Sequence, residues 1–417
     1  MELVKKIGQK IFFIASAGLM FLLPFNGKLF AFFDGENTQT LLPLFIVIML
    51  GFGFVTEKFT LKKLWDNWAF KGFSLLFLAY LFSAGFIAQF NGSMDELTKK
   101  LSLLVVPFIL LTNRFFFVKY KYSLFLIYFT GVALTLLFLD VQALLFFKSQ
   151  GFLPFYINYS LFTHPTYFGS NVLISIIFLF GRIVKVKGSW VKKTLQMILL
   201  LILVVHLVFL LSKAVLISAL IVLIFFFFYL LFKDVKKMIL YVAVFVFPLL
   251  LVALMPVSYS KIKDSVVSRF SSLEHYNVSG SATAFRYKIS RNAPEIIGSN
   301  WLFGVGVGNE QSHLMKFYKS HGWSYAFEGA FNTHNQFVQT CLSVGLFGLL
   351  ILLAIILVPL FVNEFDGNKI MLLCFVFIFC TEAMLERQAG IVLFVFFYMF
   401  SFTLQGSREM KKKVEKG

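Results

Sequence analysis

Apolar runs long enough to cross a membrane recur along the whole chain, and this feature restricts the fold more than any other. About 18 or more apolar residues in an α-helix span the hydrocarbon core of a bilayer. Inside lipid, a helix satisfies its backbone polar groups internally. Hydrophobic residues make up 59% of the chain, and the mean hydropathy is +0.84. The sequence therefore predicts an all-α integral membrane protein and excludes a water-soluble globular one.

We predict about twelve transmembrane helices, joined mostly by short loops. They cover residues 11–30, 39–55, 69–90, 101–118, 122–147, 165–181, 194–211, 214–232, 238–257, 335–361, 370–385 and 390–405. The predicted domains are an N-terminal bundle of about nine spans at 1–257, a long loop at 258–333, C-terminal spans at 334–405 and a basic tail at 406–417. Loops of that length are usually functional or separately folded, so the loop is the first place to expect a site.

The distribution of charge orients these spans. The chain has 38 Lys and Arg against 20 Asp and Glu, a net charge of +18. With the N-terminus inside, basic residues gather in alternate loops and in the tail: Lys58, Lys62, Lys63, Lys71, Arg114, Lys119, Lys121, Arg182, Lys185, Lys187, Lys192, Lys193, Lys233, Lys236, Lys237, Arg408, Lys411, Lys412, Lys413 and Lys416. Such residues concentrate on the cytoplasmic side of membrane proteins. We therefore expect both termini in the cytoplasm and the long loop on the outer side.

Few ionisable residues fall inside the predicted spans, and they gather in the outer third of the membrane or at its outer edge. They are Asp140, His206, Lys213, Glu382, Glu386 and Arg387. Each such residue costs about 3 kcal/mol near the bilayer centre and normally faces a cavity or another polar group. The pattern predicts a polar chamber open to the outer side. A transporter would place its binding residues nearer the midplane, so an enzyme is favoured over a lipid or polysaccharide transporter.

The long loop enters the next helix within residues 331–348. Thr333 is the predicted N-cap, because its hydroxyl can accept from the first-turn amides. His334 and Asn335 then lie at the positive end of the helix dipole, which favours a neutral imidazole able to accept a proton. The alternative is that His334 merely caps the helix or anchors it at the interface.

The loop also contains a predicted helix over 284–297, ending at Gly298, and a glycine-rich stretch at 300–309. Gly304, Gly306 and Gly308 do not form a dinucleotide fingerprint, because no strand precedes them and the spacing differs. We expect them to permit a tight turn or a close approach of the backbone.

The loop is rich in basic residues, which predict a site for an anionic ligand. Arg286 opens the predicted loop helix, Arg291 lies within the same helix and Arg269 precedes it. Arg269 and Arg291 equally fit as stabilising partners of Asp264 and Glu295. The spacing of Arg291 and Glu295 is the i,i+4 spacing of a helical ion pair.

Taken in order, these pieces resemble the O-antigen ligase and O-antigen polymerase superfamily of bacterial envelope glycosyltransferases. The shared pattern is an Arg opening a loop helix, Leu-Phe-Gly-x-Gly-x-Gly, His-Asn at a helix start and two glycines along that helix. In this chain the pattern falls on Arg286, residues 302–308, His334, Asn335, Gly345 and Gly348. The resemblance implies a C-type glycosyltransferase fold in the bacterial inner membrane that needs no nucleotide sugar, cofactor or metal.

The resemblance also implies roles for individual residues. The superfamily's conserved Arg and His fall on Arg286 and His334, which are therefore the predicted catalytic residues. A further superfamily Arg falls on Lys213, which keeps the charge but lacks the two-pronged donor geometry. An acidic superfamily residue falls on Ser343. The predicted pyrophosphate-binding and glycan-binding residues are Lys213, Arg269, Arg291, His164, Asn335, Gly304, Gly306 and Gly308, where His164 is equally well explained as an interfacial anchor.

The implied function is metal-independent transfer of a glycan from undecaprenyl pyrophosphate to a sugar hydroxyl of lipid A–core, at the periplasmic face, with inversion. The same chemistry would serve an O-antigen or exopolysaccharide polymerase, or transfer to a protein hydroxyl, because acceptor choice depends on loop shape. The expected partners are the carrier-linked glycan, its acceptor and membrane lipids, and no nucleic acid.

Overall fold

The computed structural model describes residues 2–26, 41–56, 64–90, 92–151, 153–155, 158–161, 163–185, 190–231, 282–362 and 367–403. Within these ranges the regular structure is helical, with no β-strand. The α-helices are α1 (Glu2–Leu22), α2 (Leu42–Thr56), α3 (Trp68–Phe82), α4 (Met94–Lys100), α5 (Ser102–Thr112), α6 (Arg114–Lys119), α7 (Lys121–Gln150), α8 (Pro165–Lys185), α9 (Trp190–Leu210), α10 (Lys213–Leu231), α11 (Ala282–Arg291), α12 (Ala293–Ile297), α13 (Glu310–Ser320), α14 (Ser324–Glu328), α15 (Gln336–Val362), α16 (Gly367–Phe379) and α17 (Gln388–Phe402). A π-helical turn, Ser83–Ile87, extends α3, and 3-10 turns lie at Gly298–Asn300 and Met384–Glu386.

Several of these helices have the length and composition of membrane spans. In the described part of the chain, four qualify: Trp68–Ile87, Lys121–Gln150, Pro165–Ile183 and Gln336–Phe361. Shorter apolar helices lie at Leu42–Gly53, Thr194–Leu210, Lys213–Tyr229, Asn368–Phe379 and Gln388–Phe402. The predicted all-helical fold is confirmed for the described residues, and it includes apolar helices long enough to cross a membrane. The count of about twelve spans stays a prediction, and the predicted span 238–257 lies outside the described residues.

The predicted span 101–118 is not one continuous helix. Asn113 has φ −113° and ψ 34°, and it separates α5 from α6. Its side-chain amide donates to the Ile109 carbonyl at 3.0 Å and to the Thr112 hydroxyl at 3.1 Å. An asparagine that bonds its own neighbours in this way competes with the helical backbone pattern. The prediction of a single helix was therefore wrong here.

The chain forms two compact units. The first contains Met1–Gly131, Phe285–Glu364 and Phe379–Gly417, and the second contains Val132–Ala284 and Phe365–Ile378. In the first unit α1 packs on α2, α3 on α15 and α5 on α17. Helix α17 is buried on every side from Gly390 to Phe400, as expected for a helix that is apolar all round. In the second unit α8 packs against α9 and α10.

The described part of the long loop is folded and packed. The predicted helix over 284–297 is split at Asn292 into α11 and α12, and Pro294 lies in the first turn of α12. Proline fits a first turn but cannot continue a helix that is already running. Gly298 ends the second piece as predicted, with φ 54°. Side chains of these segments share a core with α15: Phe285, Ile289, Ile296, Leu314, Phe317, Tyr318, Ala326 and Leu342.

Candidate functional site

Helix α15 is interrupted at Gly345, where the glycine-rich stretch docks. Gly345 has φ 72° and ψ −168°, outside the helical region, and a β-carbon there would overlap the Leu302 carbonyl. The Val305 amide donates to the Leu342 carbonyl at 2.7 Å, and the Leu346 amide donates to the Trp301 carbonyl at 2.8 Å. The loop backbone thus satisfies groups that the break in the helix leaves without helical partners.

The three glycines of this stretch bring the loop against other backbone. Gly304, Gly306 and Gly308 have φ values of 77°, 93° and 90°. A β-carbon on Gly304 would lie 2.6 Å from the Ser343 backbone, and one on Gly306 would lie 3.0 Å from the Ala88 nitrogen. The expected close approach is therefore observed. Contact of these glycines with substrate stays a prediction.

Asn335, and not Thr333, caps α15. Asn335 Oδ1 accepts from the amides of Phe337 at 3.0 Å and Val338 at 3.1 Å, the bonds expected of an N-cap residue. Thr333 instead donates its hydroxyl hydrogen to Gln339 Oε1 at 2.9 Å. The prediction for Thr333 was wrong, because a side-chain acceptor from the next turn engages its hydroxyl. His334 therefore lies just before the helix.

Arg286 and His334 meet at one carboxylate, that of Glu382. Arg286 Nη2 lies 3.5 Å from Glu382 Oε2, and His334 Nδ1 lies 3.3 Å from the same oxygen. The Glu382 side chain is 6% exposed, whereas those of Arg286 and His334 are each 22% exposed. Three segments supply the residues: α11, the turn before α15 and the stretch between α16 and α17. The two predicted catalytic residues thus share a buried acid, and we call the three the open cluster.

The geometry assigns a direction to the His334 ring. An ionised carboxylate only accepts hydrogen bonds, so Nδ1 carries the hydrogen and Nε2 is the acceptor of the neutral ring. Phe285 and Phe331 meet the ring edge-on, at centroid distances of 6.0 and 5.7 Å. His334 has φ 45°, and its amide donates to Asn332 Oδ1 at 2.9 Å. The left-handed conformation costs about 1–2 kcal/mol for a residue with a β-carbon. The ring contacts and the amide hydrogen bond hold His334 in this conformation.

A second arrangement of cation and carboxylate lies in the same unit. Lys100 Nζ donates to Glu386 Oε1 and to the Leu385 carbonyl, both at 2.6 Å, and lies 4.8 Å from the centre of the Tyr80 ring. Lys100 is 1% exposed. The Leu385 amide donates to Gln336 Oε1 at 2.6 Å. These bonds fix the segment that also carries Glu382, and we call Lys100 and Glu386 the sealed pair.

Glu310 brings a further carboxylate to this region. It is buried at the start of α13, and its Oε2 accepts from the Gly308 amide at 2.6 Å. Burial and the negative charge of Glu386 raise the pKa of Glu310 to about 7, while the Ser343 hydroxyl acts to lower it. Ser343, on which the sequence pattern predicted an acidic residue, thus has the Glu310 carboxyl near it. Sequence reasoning missed Glu310, although an acidic residue in a first helical turn is a usable signal.

The predicted loop arginines differ in their surroundings. Arg286 enters the open cluster, whereas Arg291 is exposed at the end of α11. Glu295, its alternative partner, instead lies 2.8 Å from His321 Nε2. The split at Asn292 removes the continuous helix that an i,i+4 pair needs. Arg269 lies outside the described residues.

Lys213 and His164 belong to the second unit. Lys213 begins α10, directly after Ser212, whose hydroxyl lies 2.9 Å from that of Thr166. His164 precedes α8, and its Nδ1 accepts from the Thr166 amide at 3.4 Å, as a helix-capping side chain does. Contact of either residue with substrate stays a prediction. Within the described ranges, no three His, Cys, Asp or Glu side chains gather as metal ligands.

Comparison with known families gives a match to part of the chain. Residues 198–353 match a family model described as O-antigen ligase. The matched stretch runs from within α9 into α15 and contains Arg286, Gly304, His334 and Gly345, while Glu382 lies outside it. No curated protein matches the chain.

Proposed function

We propose that the chain, whose residues 198–353 match a family model described as O-antigen ligase, transfers a glycan from undecaprenyl pyrophosphate to a sugar hydroxyl of lipid A–core. We place the reaction at the periplasmic face of the bacterial inner membrane. The observation that supports this most is the open cluster, in which Arg286 and His334 share the Glu382 carboxylate. A guanidinium and an oriented imidazole suit a reaction that expels a pyrophosphate and deprotonates a hydroxyl.

Arg286 is assigned to the pyrophosphate. Glu382 accepts from one terminal nitrogen of its guanidinium, which has five donor hydrogens in all. Arg286 Nε is buried and has no hydrogen-bond acceptor among the described residues. Leaving a buried donor unsatisfied costs about 1–3 kcal/mol. A phosphate oxygen would satisfy this donor and would place positive charge where the leaving group gains negative charge.

His334 is assigned to the acceptor. Glu382 holds the Nδ1 side, so Nε2 can take the proton of the attacking sugar hydroxyl. That oxygen forms a bond to the anomeric carbon of the donor while the bond from this carbon to the pyrophosphate oxygen breaks. The carrier leaves as undecaprenyl pyrophosphate, and direct displacement inverts the anomeric configuration. Neither step requires a metal ion or a nucleotide sugar.

The remaining predicted residues complete the proposal. A pyrophosphate has more charge than one guanidinium balances, and we assign Lys213, with Arg269 and Arg291, to the remainder. A lysine ammonium acts as a point charge and lacks the planar donor pair of arginine. His164 and Asn335 are assigned to the glycan.

Reconstitution tests the proposal. The purified protein in nanodiscs receives carrier-linked glycan and lipid A–core, with a chelator and without ATP or an ion gradient. We expect glycan-substituted lipid A–core from the wild type, and about 1% of that rate or less from Arg286→Ala and His334→Ala. Lys288→Ala is the matched control, because Lys288 lies on α11 near Arg286 but faces the Trp323 ring, 5.7 Å away. Full transfer by both site variants would refute the assignment, and glycan movement without bond formation would indicate a transporter.

Gene deletion in the producing bacterium separates the ligase from the polymerase. Loss of a ligase leaves lipid A–core unsubstituted while carrier-linked polymer accumulates. Loss of a polymerase leaves a single repeat unit attached. Electrophoresis of the extracted lipopolysaccharide distinguishes these outcomes, and unchanged polymer-substituted lipopolysaccharide would refute both.

A further inference from the structure

In the second unit a charged side chain lies in the outer third of a predicted membrane span. Asp140 belongs to α7, which is long and apolar enough to cross a bilayer, and its side chain is 46% exposed. A carboxylate facing lipid is unfavourable, so ionisable residues in spans normally face a cavity, a partner or a ligand. The proposed transfer mechanism does not use Asp140.

Two side chains hold the Asp140 carboxylate in one orientation. The Tyr159 hydroxyl donates to Asp140 Oδ1 at 2.9 Å, and His206 Nε2 lies 3.1 and 3.0 Å from the two carboxylate oxygens. His206 Nδ1 lies 2.6 Å from the Ile202 carbonyl. Both ring nitrogens of His206 therefore face oxygen atoms, and the ring bridges the carboxylate to the backbone of its own helix.

Aromatic rings lie beside the two side chains that hold this carboxylate. Phe155 and Phe209 stack with centroids 5.1 Å apart and planes 8° apart, and Tyr159 lies 5.4 Å from Phe209. Phe155 and Phe209 are partly exposed. The site therefore combines flat apolar faces with a fixed, half-exposed hydrogen-bond acceptor. Binding sites for small organic ligands combine such apolar and aromatic walls with a few placed polar groups.

We propose that Asp140, Phe155 and Phe209 form a binding subsite for a neutral sugar residue, with the buried Tyr159 hydroxyl holding the carboxylate in place. The C–H face of a sugar ring packs on an aromatic ring, and its hydroxyls donate to the carboxylate. A carboxylate offers about four acceptor positions, so the contacts with Tyr159 and His206 leave capacity for a hydroxyl. A pyrophosphate does not fit, because the carboxylate repels it. The inference rests on the proposed function only in that a glycan is the expected source of the sugar.

Saturation-transfer NMR tests the subsite on the full chain in nanodiscs. The probes are free glucose, galactose, N-acetylglucosamine and rhamnose. We expect saturation transfer to at least one of them, reduced about tenfold in Asp140→Asn and in Phe209→Leu, as for loss of one good hydrogen bond or ring contact. Asp95→Asn is the matched control, because Asp95 is an exposed carboxylate on α4 in the first unit. It should leave the signal unchanged.

Two results would overturn the subsite. One is the lack of saturation transfer to any of the four sugars, and the other is an equal signal in the wild type, Asp140→Asn and Phe209→Leu. In the second case a lowered Tm of Asp140→Asn would assign the residue to holding helices together. Phe209→Leu keeps apolar volume, so it gives the answer if Asp140→Asn fails to fold. A wild type that binds sugar but transfers no glycan would refute the proposed function and leave the subsite standing.

Discussion

The open cluster and the sealed pair each join a glutamate to basic side chains, but those side chains differ in how exposed they are. In the open cluster, Arg286 and His334 lie 3.5 and 3.3 Å from Glu382 Oε2, and both are 22% exposed. In the sealed pair, Lys100 lies 2.6 Å from Glu386 Oε1 and is 1% exposed. Both glutamates lie on the short segment between α16 and α17. One segment thus presents one carboxylate to two partly exposed basic side chains and another to a buried ammonium.

This difference in exposure indicates that the sealed pair stabilises the fold, whereas the open cluster serves the transfer reaction. The Lys100 ammonium already bonds to a carboxylate and a carbonyl and faces an aromatic ring, so it has little to offer a ligand. It fixes the segment on which Glu382 lies. Arg286 and His334 have longer contacts and accessible surface, so a substrate can reach them. We therefore expect changes in the sealed pair to lower stability, and changes in the open cluster to lower the transfer rate.

Removing the buried ammonium should have the largest effect. Lys100→Met leaves Glu386 without its charged partner, and breaking a buried pair in this way costs about 3–5 kcal/mol. Thermal unfolding in detergent measures the loss as a lowered Tm. Lys99→Met is the matched control, because Lys99 is 36% exposed and pairs with Glu96 on the same helix. A Tm equal to that of the control would show that the sealed pair does not hold the segment.

Glu310 makes stability depend on pH near neutrality. Its pKa is raised from 4.5 to about 7, so the folded state keeps a proton that the unfolded state releases in that interval. Stability therefore falls as pH rises from about 4.5 to 7. Glu310→Gln removes this titration and should become the more stable protein at pH 8, by at most about 3 kcal/mol.

Unfolding curves between pH 5 and pH 8 check this dependence. The difference in Tm between Glu310→Gln and the wild type should grow with pH and level off above pH 7. Glu328→Gln changes an exposed glutamate outside this network and should follow the wild type at every pH. A constant difference across the range would contradict the assignment.

Exchanging one carboxylate for an amide in each arrangement compares them directly. Glu382→Gln can donate as well as accept, so it no longer fixes the hydrogen on Nδ1 of His334. We expect the transfer rate to fall about a hundredfold, with little change in Tm. Glu386→Gln should lower Tm instead, because it leaves the Lys100 charge buried without its carboxylate. The same rate loss in both variants at unchanged Tm would remove the distinction.

Local patterns in the sequence carry part of this arrangement. Long apolar runs predict the helices, and the ordered series of Arg286, Gly304 and His334 predicts which residues of the loop belong together. The cap of α15 is a local feature that sequence does not decide, because Thr333 and Asn335 are both capping residues. Gln339 engages Thr333 and leaves the cap to Asn335.

Local sequence patterns do not predict which of these side chains contact one another. Glu382 is recognisable as an ionisable residue in a predicted span, but its contacts with Arg286 and His334 join segments far apart in the chain. Glu310 likewise comes close to Ser343 and Glu386 from a different segment, which no single stretch of sequence shows. The pairing of Glu295 with His321 instead of Arg291 likewise depends on the break at Asn292.

Lys213 tests whether a partly exposed basic residue of the second unit also serves the transfer reaction, as we propose for Arg286 in the first unit. If it balances pyrophosphate charge, Lys213→Ala should lower the transfer rate at least about tenfold, while Lys213→Arg keeps the charge, restores the two-pronged donor and retains or raises the rate. Rates with carrier-linked glycan in nanodiscs, with Tm measured in parallel, distinguish this role from a structural one. Lys192→Ala, a change at an exposed lysine of the same unit, is the control.

A wild-type rate in Lys213→Ala would make Lys213 an interfacial anchor and assign the remaining charge to Arg269 or Arg291. A lowered Tm with rate loss in both the Ala and Arg variants would place Lys213 with Lys100, among the cations that hold the fold.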